Sequence, residues 1–168
     1  MEEINIYSSE MQVGVYKGVK NVDYLYKYKS FDNLLVMFNG AVDVSRAKYP
    51  VFQRKSFIEY INANILIIND NTLTEDNGLS LGWYQSAPEW NLQSDIVFLI
   101  KKYLMALEIK NESLFLYGSS AGGFIASIMA THFRGSTAIV NNPQVDVLKF
   151  FDSHDTILIL NRIIHSCV

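Results

Sequence analysis

The spacing of hydrophobic and polar positions changes several times along the 168 residues, and each change predicts a new element. From residue 4 to about 28 the two kinds alternate. Val13, Val15 and Tyr16 are followed by Val22, Tyr24, Tyr26 and Tyr28, with Lys17-Gly18 and Lys20-Asn21 between them as turn chemistry. A period of two sends successive side chains to opposite faces of a strand, so this segment predicts an antiparallel hairpin or meander at a sheet edge. Residues 33–38 (Asn-Leu-Leu-Val-Met-Phe) form an unbroken apolar run, as a central strand covered on both faces requires, and Asn39-Gly40-Ala41 ends it. After Pro50, the spacing of Phe52, Phe57, Ile58 and Ile61 predicts a helix across 51–61, and residues 64–68 (Asn-Ile-Leu-Ile-Ile) a second buried strand. A long loop follows over 69–88. Ile96, Leu99, Ile100, Leu104 and Leu107 then mark one face of an amphipathic helix within 90–107. Three further elements complete the pattern: an apolar strand at 114–117, a helix over 124–131, and a strand at 137–140 that stops at Asn141-Asn142-Pro143.

Strands alternating with helices require right-handed crossovers and hence a mostly parallel sheet, here preceded by antiparallel strands. That order matches the first part of an α/β-hydrolase fold. With 49% hydrophobic and 13% aromatic residues the chain buries a real core, and no linker, repeat or low-complexity tract divides it, so residues 1–168 read as one domain. The net charge of −3, without a dense basic run, excludes a nucleic-acid groove. Met1-Glu2-Glu3-Ile4-Asn5 is acidic and lacks the apolar core of a secretory signal, and no apolar stretch reaches the roughly 18 residues of a membrane span. The single cysteine, Cys167, leaves no disulfide within the chain and no cysteine-based zinc site, in keeping with a reducing cytoplasm. No metal or cofactor is expected.

The chemistry concentrates at Tyr117-Gly118-Ser119-Ser120-Ala121-Gly122-Gly123, where an apolar strand runs through G-x-S-x-G into a helical pattern. This is the form of a nucleophile elbow with Ser120 at its tip. The helix doubles back against the strand that delivers it, which demands small neighbours, and Gly118 and Gly122 supply the room. The helix N-terminus and the backbone N–H of Ala121 are then placed to stabilise an oxyanion. Tight helix-on-sheet packing with no chemistry is the competing reading. A phosphate-cradling loop is excluded, since Phe124-Ile125 stand where Lys-Ser/Thr would be needed.

A second oxyanion donor in such a site comes from the loop after the strand that precedes the first helix. Here that loop is Phe38-Asn39-Gly40-Ala41-Val42, with the N–H of Gly40 or Ala41 as candidates and Gly40 permitting an unusual backbone turn. The same pair, Asn39-Gly40, also reads as plain turn chemistry. The base is harder to place. His132 lies twelve positions beyond Ser120 on the same helix, roughly 18 Å away at about 1.5 Å per residue, and cannot serve. His154 and His165 remain, with Asp146, Asp152 or Asp155 as the acid. Ser153-His154-Asp155 reads as a solvated patch, and His165, beyond the run 157–160, is better placed.

Five segments in this order resemble a family of α/β-hydrolase-like bacterial proteins associated with capsule and other surface-polysaccharide biosynthesis. They are Leu35-Val36-Met37-Phe38-Asn39-Gly40-Ala41, Pro50-Val51-Phe52-Gln53-Arg54, Leu81-Gly82-Trp83-Tyr84, the elbow itself, and Asn142-Pro143-Gln144. The resemblance covers roughly residues 34–147. It implies a cytoplasmic protein with an α/β-hydrolase core and a Ser120-centred site acting on or near a glycan precursor. By position it puts Gly40 and Ala41 in the oxyanion region, Trp83 and Tyr84 in the pocket, and Asn142 and Gln144 on the rim beside the elbow. Arg54 would meet an anionic group such as a phosphate or uronate, or simply lie on a helix surface. Proteins of this fold continue through further strands carrying the acid and histidine, so the chain reads as truncated at its C-terminus. A truncated sheet predicts an exposed edge and, with it, a partner or self-association. Two functions therefore compete: a serine esterase or acyltransferase using Ser120, Asp146 and His165, and a catalytically silent binding or assembly subunit.

Overall fold

A computed structural model describes residues 4–85 and 90–147. Six strands form one sheet: β1 (Met11–Lys17), β2 (Asn21–Lys27), β3 (Leu34–Phe38), β4 (Asn64–Ile68), β5 (Leu114–Ser119) and β6 (Thr137–Asn141), in the spatial order β1-β2-β4-β3-β5-β6. The alternating N-terminal segment is the expected hairpin, with Met11 opposite Lys27 and Lys17 opposite Asn21, and β2 runs antiparallel to β4. The remaining pairs, β3 with β4, β3 with β5 and β5 with β6, are parallel.

The unbroken apolar runs sit where both faces are covered. Along β3, Leu34, Val36 and Phe38 point into a core shared with helices α1 (Leu92–Ala106) and α2 (Ala121–His132), while Met37 joins Leu25, Ile65, Ile67 and Ile58 on the opposite face. Each such side chain withdrawn from water contributes roughly 1.5–3 kcal/mol, so the centre of the sheet anchors the fold. Helix α1 turns its predicted face inward: Ile96, Leu99, Ile100 and Leu104 are all buried. Asn91 caps it by accepting the N–H of Ser94 at 3.0 Å.

The helix expected over 51–61 is a single 3-10 helix, Lys55–Tyr60. Arg54 before it takes a left-handed backbone (φ 60°) and Ile61 after it is extended, so no longer helix can form. Only Ile58 of this segment is buried, while Phe57 and Tyr60 are exposed.

Strand β6 forms the outer edge and is mostly exposed among the described residues. Ile139 and Val140 show 45% and 38% of their surface. No helix among the described residues is long and apolar enough to cross a membrane.

Candidate active site

The elbow is built by backbone contact. A Cβ on Gly118 would lie 2.0 Å from the carbonyl oxygen of Gly122, and one on Gly122 would lie 2.6 Å from that of Phe38. Helix α2 therefore rests directly on the ends of β5 and β3, at a separation that no side chain allows. Ser120, between strand and helix, has φ 54° and ψ −122°, a conformation costly for any residue with a Cβ and of the kind found where a site stores strain. Its carbonyl accepts the N–H groups of Gly123 (3.0 Å) and Phe124 (3.1 Å), and its own N–H donates to Asn141 on β6 at 3.1 Å. The first N–H groups of an α-helix have no partner within it, and Ala121 is the first residue of α2, next to Ser120 in the chain.

Residues after β6 close the other side. Asn142 is left-handed (φ 47°), which asparagine tolerates better than most residues, and exposed. Gln144 is buried. Its N–H donates to the carbonyl of Ser120 at 3.3 Å, and its Nε2 donates to Ser120 Oγ at 2.8 Å. The indole N–H of Trp83 donates in turn to Gln144 Oε1.

The wall facing the elbow is the turn after β3. Gly40 is buried but not left-handed; the backbone oxygen of Ser119, 3.3 Å from where its Cβ would stand, is what keeps the position small. This corrects the expectation of an unusual backbone turn there. The Gly40 N–H is engaged by Gln53 Oε1 at 2.9 Å, and Gln53 Nε2 donates to the Ala41 carbonyl at 2.8 Å. Asn39 Oδ1 accepts the Gln53 N–H at 3.0 Å, and its Nδ2 donates to Val51 O at 2.7 Å. Ala41 is exposed. Arg54 reaches across from β3 to β5. Its Nη1 donates to Phe38 O (3.3 Å) and Gln53 Oε1 (3.4 Å), its Nη2 to Ser119 Oγ, and its guanidinium lies 5.3 Å from the centre of the Tyr117 ring. The ion pair found among the described residues is Arg46 with Asp43, so this cation rests on neutral oxygens and an aromatic face.

Trp83 and Tyr84 are both 0% exposed and left-handed, and neither ring offers a face for stacking on a sugar. Trp83 packs with Leu81, Ala121, Phe124 and Val147 over the start of α2. Tyr84 is a brace. Its hydroxyl accepts the N–H of Asn39 at 2.7 Å and donates to Ile68 O at 2.9 Å, tying the ends of β3 and β4 together. The Tyr84 N–H donates to Asp70 at 3.0 Å, and the N–H of Thr72 donates to the same buried carboxylate at 3.1 Å. Burial pushes the Asp70 carboxyl above its ordinary range despite these bonds, and burial followed by the neighbouring Asp70 charge raises the Tyr84 phenol well above its own.

The structure thus brings Ser120, Ala121, Gly40, Arg54, Trp83 and Gln144 together, with Asn142 adjoining. Asp146 lies half-buried two residues past Gln144. His165, with His154, Asp152 and Asp155, lies outside the described residues. His132 ends α2, and lines a groove with Lys101, Leu104 and Phe133 rather than the elbow. An open pocket of about 440 Å³ between Lys20, Asn71, Thr72, Asn77 and Trp90 is likewise separate from Ser120. The role of Gln53 as a staple on the turn after β3 has no signal in the sequence beyond its place beside Arg54. Among the described residues no cluster of histidine, cysteine and acidic groups could hold a metal ion.

No protein-family model and no curated protein matches the sequence. Among solved structures, the fold is similar to that of the capsule O-acetyltransferase of Neisseria meningitidis serogroup A. The TM-score is 0.63 at 23% identity, over 84% of this chain and 56% of that one. It is also similar to the Glycosylation Associate Protein (Gap123) complex from Streptococcus agalactiae, with a TM-score of 0.62 at 17% identity, over 88% of this chain and 29% of that one. A post-proline cleaving enzyme from Rickettsia typhi matches with a TM-score of 0.57 at 18% identity, over 93% of this chain and 25% of its own. The chain spans little more than half the length of the capsule O-acetyltransferase. These likenesses show an α/β-hydrolase-like fold, as the order of elements predicts.

Proposed function

We propose that the chain carries the nucleophile of a serine acyltransferase or esterase acting on a glycan-related substrate in surface-polysaccharide biosynthesis, in the cytoplasm. The observation that carries this reading is Ser120 itself. It is held in a strained turn at the tip of β5, half-buried, with a helix N-terminus beside it and a fixed amide N–H at its hydroxyl oxygen. The similarity of fold to an O-acetyltransferase and to a peptide-cleaving enzyme supports acyl chemistry as the class.

In this reading the Ser120 proton passes to a histidine, proposed as His165 and oriented by Asp146, while Oγ bonds to an acyl carbonyl carbon. The carbonyl oxygen takes the negative charge and is met by the N–H of Ala121 and by that of Gly40 or Ala41. Gly40 becomes available when the Gln53 amide turns away from it. The tetrahedral intermediate collapses by expelling the donor's leaving group, which takes the proton from the histidine. The acyl-serine then passes its acyl group to a sugar hydroxyl or to water. Arg54, a cation with no carboxylate partner among the described residues and one strand from Ser120, would hold an anionic group of the substrate. Asn142, on the exposed rim, would contact the acceptor.

A silent binding or assembly subunit is the second reading, favoured by β6, which no strand pairs on its outer side among the described residues and whose Ile139 and Val140 are exposed. Intact-mass labelling with a small fluorophosphonate separates the two. One adduct on wild type, absent in Ser120→Ala, is the expected result; no adduct on folded protein overturns the enzymatic reading.

A further inference from the structure

Gln144 bonds to the Ser120 hydroxyl oxygen, and the direction of that bond is fixed by its other partner, Trp83. The indole N–H of Trp83 is a donor only, so the side-chain atom of Gln144 that faces it must be the oxygen. The nitrogen of the same amide therefore faces Ser120 Oγ, at 2.8 Å. Trp83 is itself immobilised, fully buried against Leu81, Ala121 and Phe124 and held in a left-handed backbone. Gln144 is anchored at a second point, its backbone N–H bonding to the Ser120 carbonyl. The amide cannot flip without turning its NH2 toward the buried indole N–H, donor against donor.

A serine hydroxyl has one proton and two lone pairs. Gln144 occupies one lone pair, so the proton must be directed elsewhere and the other lone pair is left for attack. As the proton departs, charge grows on Oγ, and the bond from Gln144 becomes charge-assisted and stronger. It thus favours the reacting state over the resting one, which is what an accelerating contact must do. We infer that Gln144 is a catalytic residue that donates to the nucleophilic oxygen, and that Trp83 is a positioning residue that fixes which end of the amide does so. This rests on the reading of Ser120 as a nucleophile.

The test is the second-order rate of fluorophosphonate labelling at Ser120, with thermal melts to confirm folding. Gln144→Glu is close to isosteric and keeps an oxygen for the indole, but presents an acceptor in place of the N–H. It should label roughly 10- to 100-fold more slowly than wild type, as should Gln144→Ala. Trp83→Phe should slow labelling several-fold in the wild-type background and have no further effect in Gln144→Ala, a non-additivity that a merely structural tryptophan would not give. If wild type labels and folded Gln144→Glu labels at the same rate, the inference is overturned and the proposed function stands. If wild type does not label, both fall together. If the effects of Trp83→Phe and Gln144→Ala multiply, the assignment of Trp83 is overturned.

Discussion

The two walls that meet at Ser120 are built in different ways. The elbow is made by the backbone: Gly118 and Gly122 fit because backbone touches backbone, and main-chain bonds from Ser120 to Gly123, Phe124, Asn141 and Gln144 hold the turn. The turn after β3 is held by side chains. Tyr84 reaches it across 45 positions, Gln53 across 13, and Arg54 links its end to Ser119 across 65. Ser120 is thus placed by backbone packing that either forms or fails, whereas the turn after β3 is placed by separable side-chain bonds and should lose its position in steps.

The largest effect should come from Gly118→Ala. The new methyl would overlap backbone atoms of α2, which cannot rotate away as a side chain can, so a loss of about 4 kcal/mol or more is expected. Circular dichroism and thermal melts should show no cooperative transition at the wild-type temperature. A normal melt would mean that the elbow is not the rigid half of the site.

Tyr84→Phe should be next, because it leaves the buried Asn39 N–H and Ile68 carbonyl without partners, at roughly 2–4 kcal/mol. The protein should still fold, with a lower melting temperature and slower fluorophosphonate labelling, since Asn39 leads into Gly40. Unchanged labelling would separate this wall from the reaction.

The smallest and most specific effect concerns Asp70, which anchors Tyr84. A carboxyl whose pKa is higher in the fold than in the unfolded chain binds its proton more tightly when folded. Its contribution to stability is complete below the ordinary value of 3.8 and is lost as the pH climbs through the raised value, at about 1.4 kcal/mol for each pH unit between the two. Wild type should therefore gain stability relative to Asp70→Asn as the pH is lowered from 7 to 4, in parallel thermal melts. A relative loss would show that the N–H bonds from Tyr84 and Thr72 outweigh burial.

The same contrast explains what could be read from the sequence. The central strands, the hairpin and the elbow follow from period and from glycine spacing, because their determinants lie within a few residues of one another. The 3-10 helix at Lys55–Tyr60 was hidden, since nothing in the apolar spacing of 51–61 announces that Arg54 turns left-handed or that Phe57 and Tyr60 face water. The braces were hidden for a related reason. The resemblance puts Tyr84 and Trp83 in a pocket, and only the tertiary path shows that their polar tips face Asn39 and Gln144.

The glycine pair and the serine also keep different records. Replacing Ser120 by alanine removes an oxygen and adds no atom, so a related chain could drop the hydroxyl and remain folded, whereas one that dropped Gly118 would have to rebuild the join between strand and helix. In a set of related chains, the two glycines would therefore report shared architecture, and position 120 would report which chains keep the hydroxyl that the proposed reaction needs.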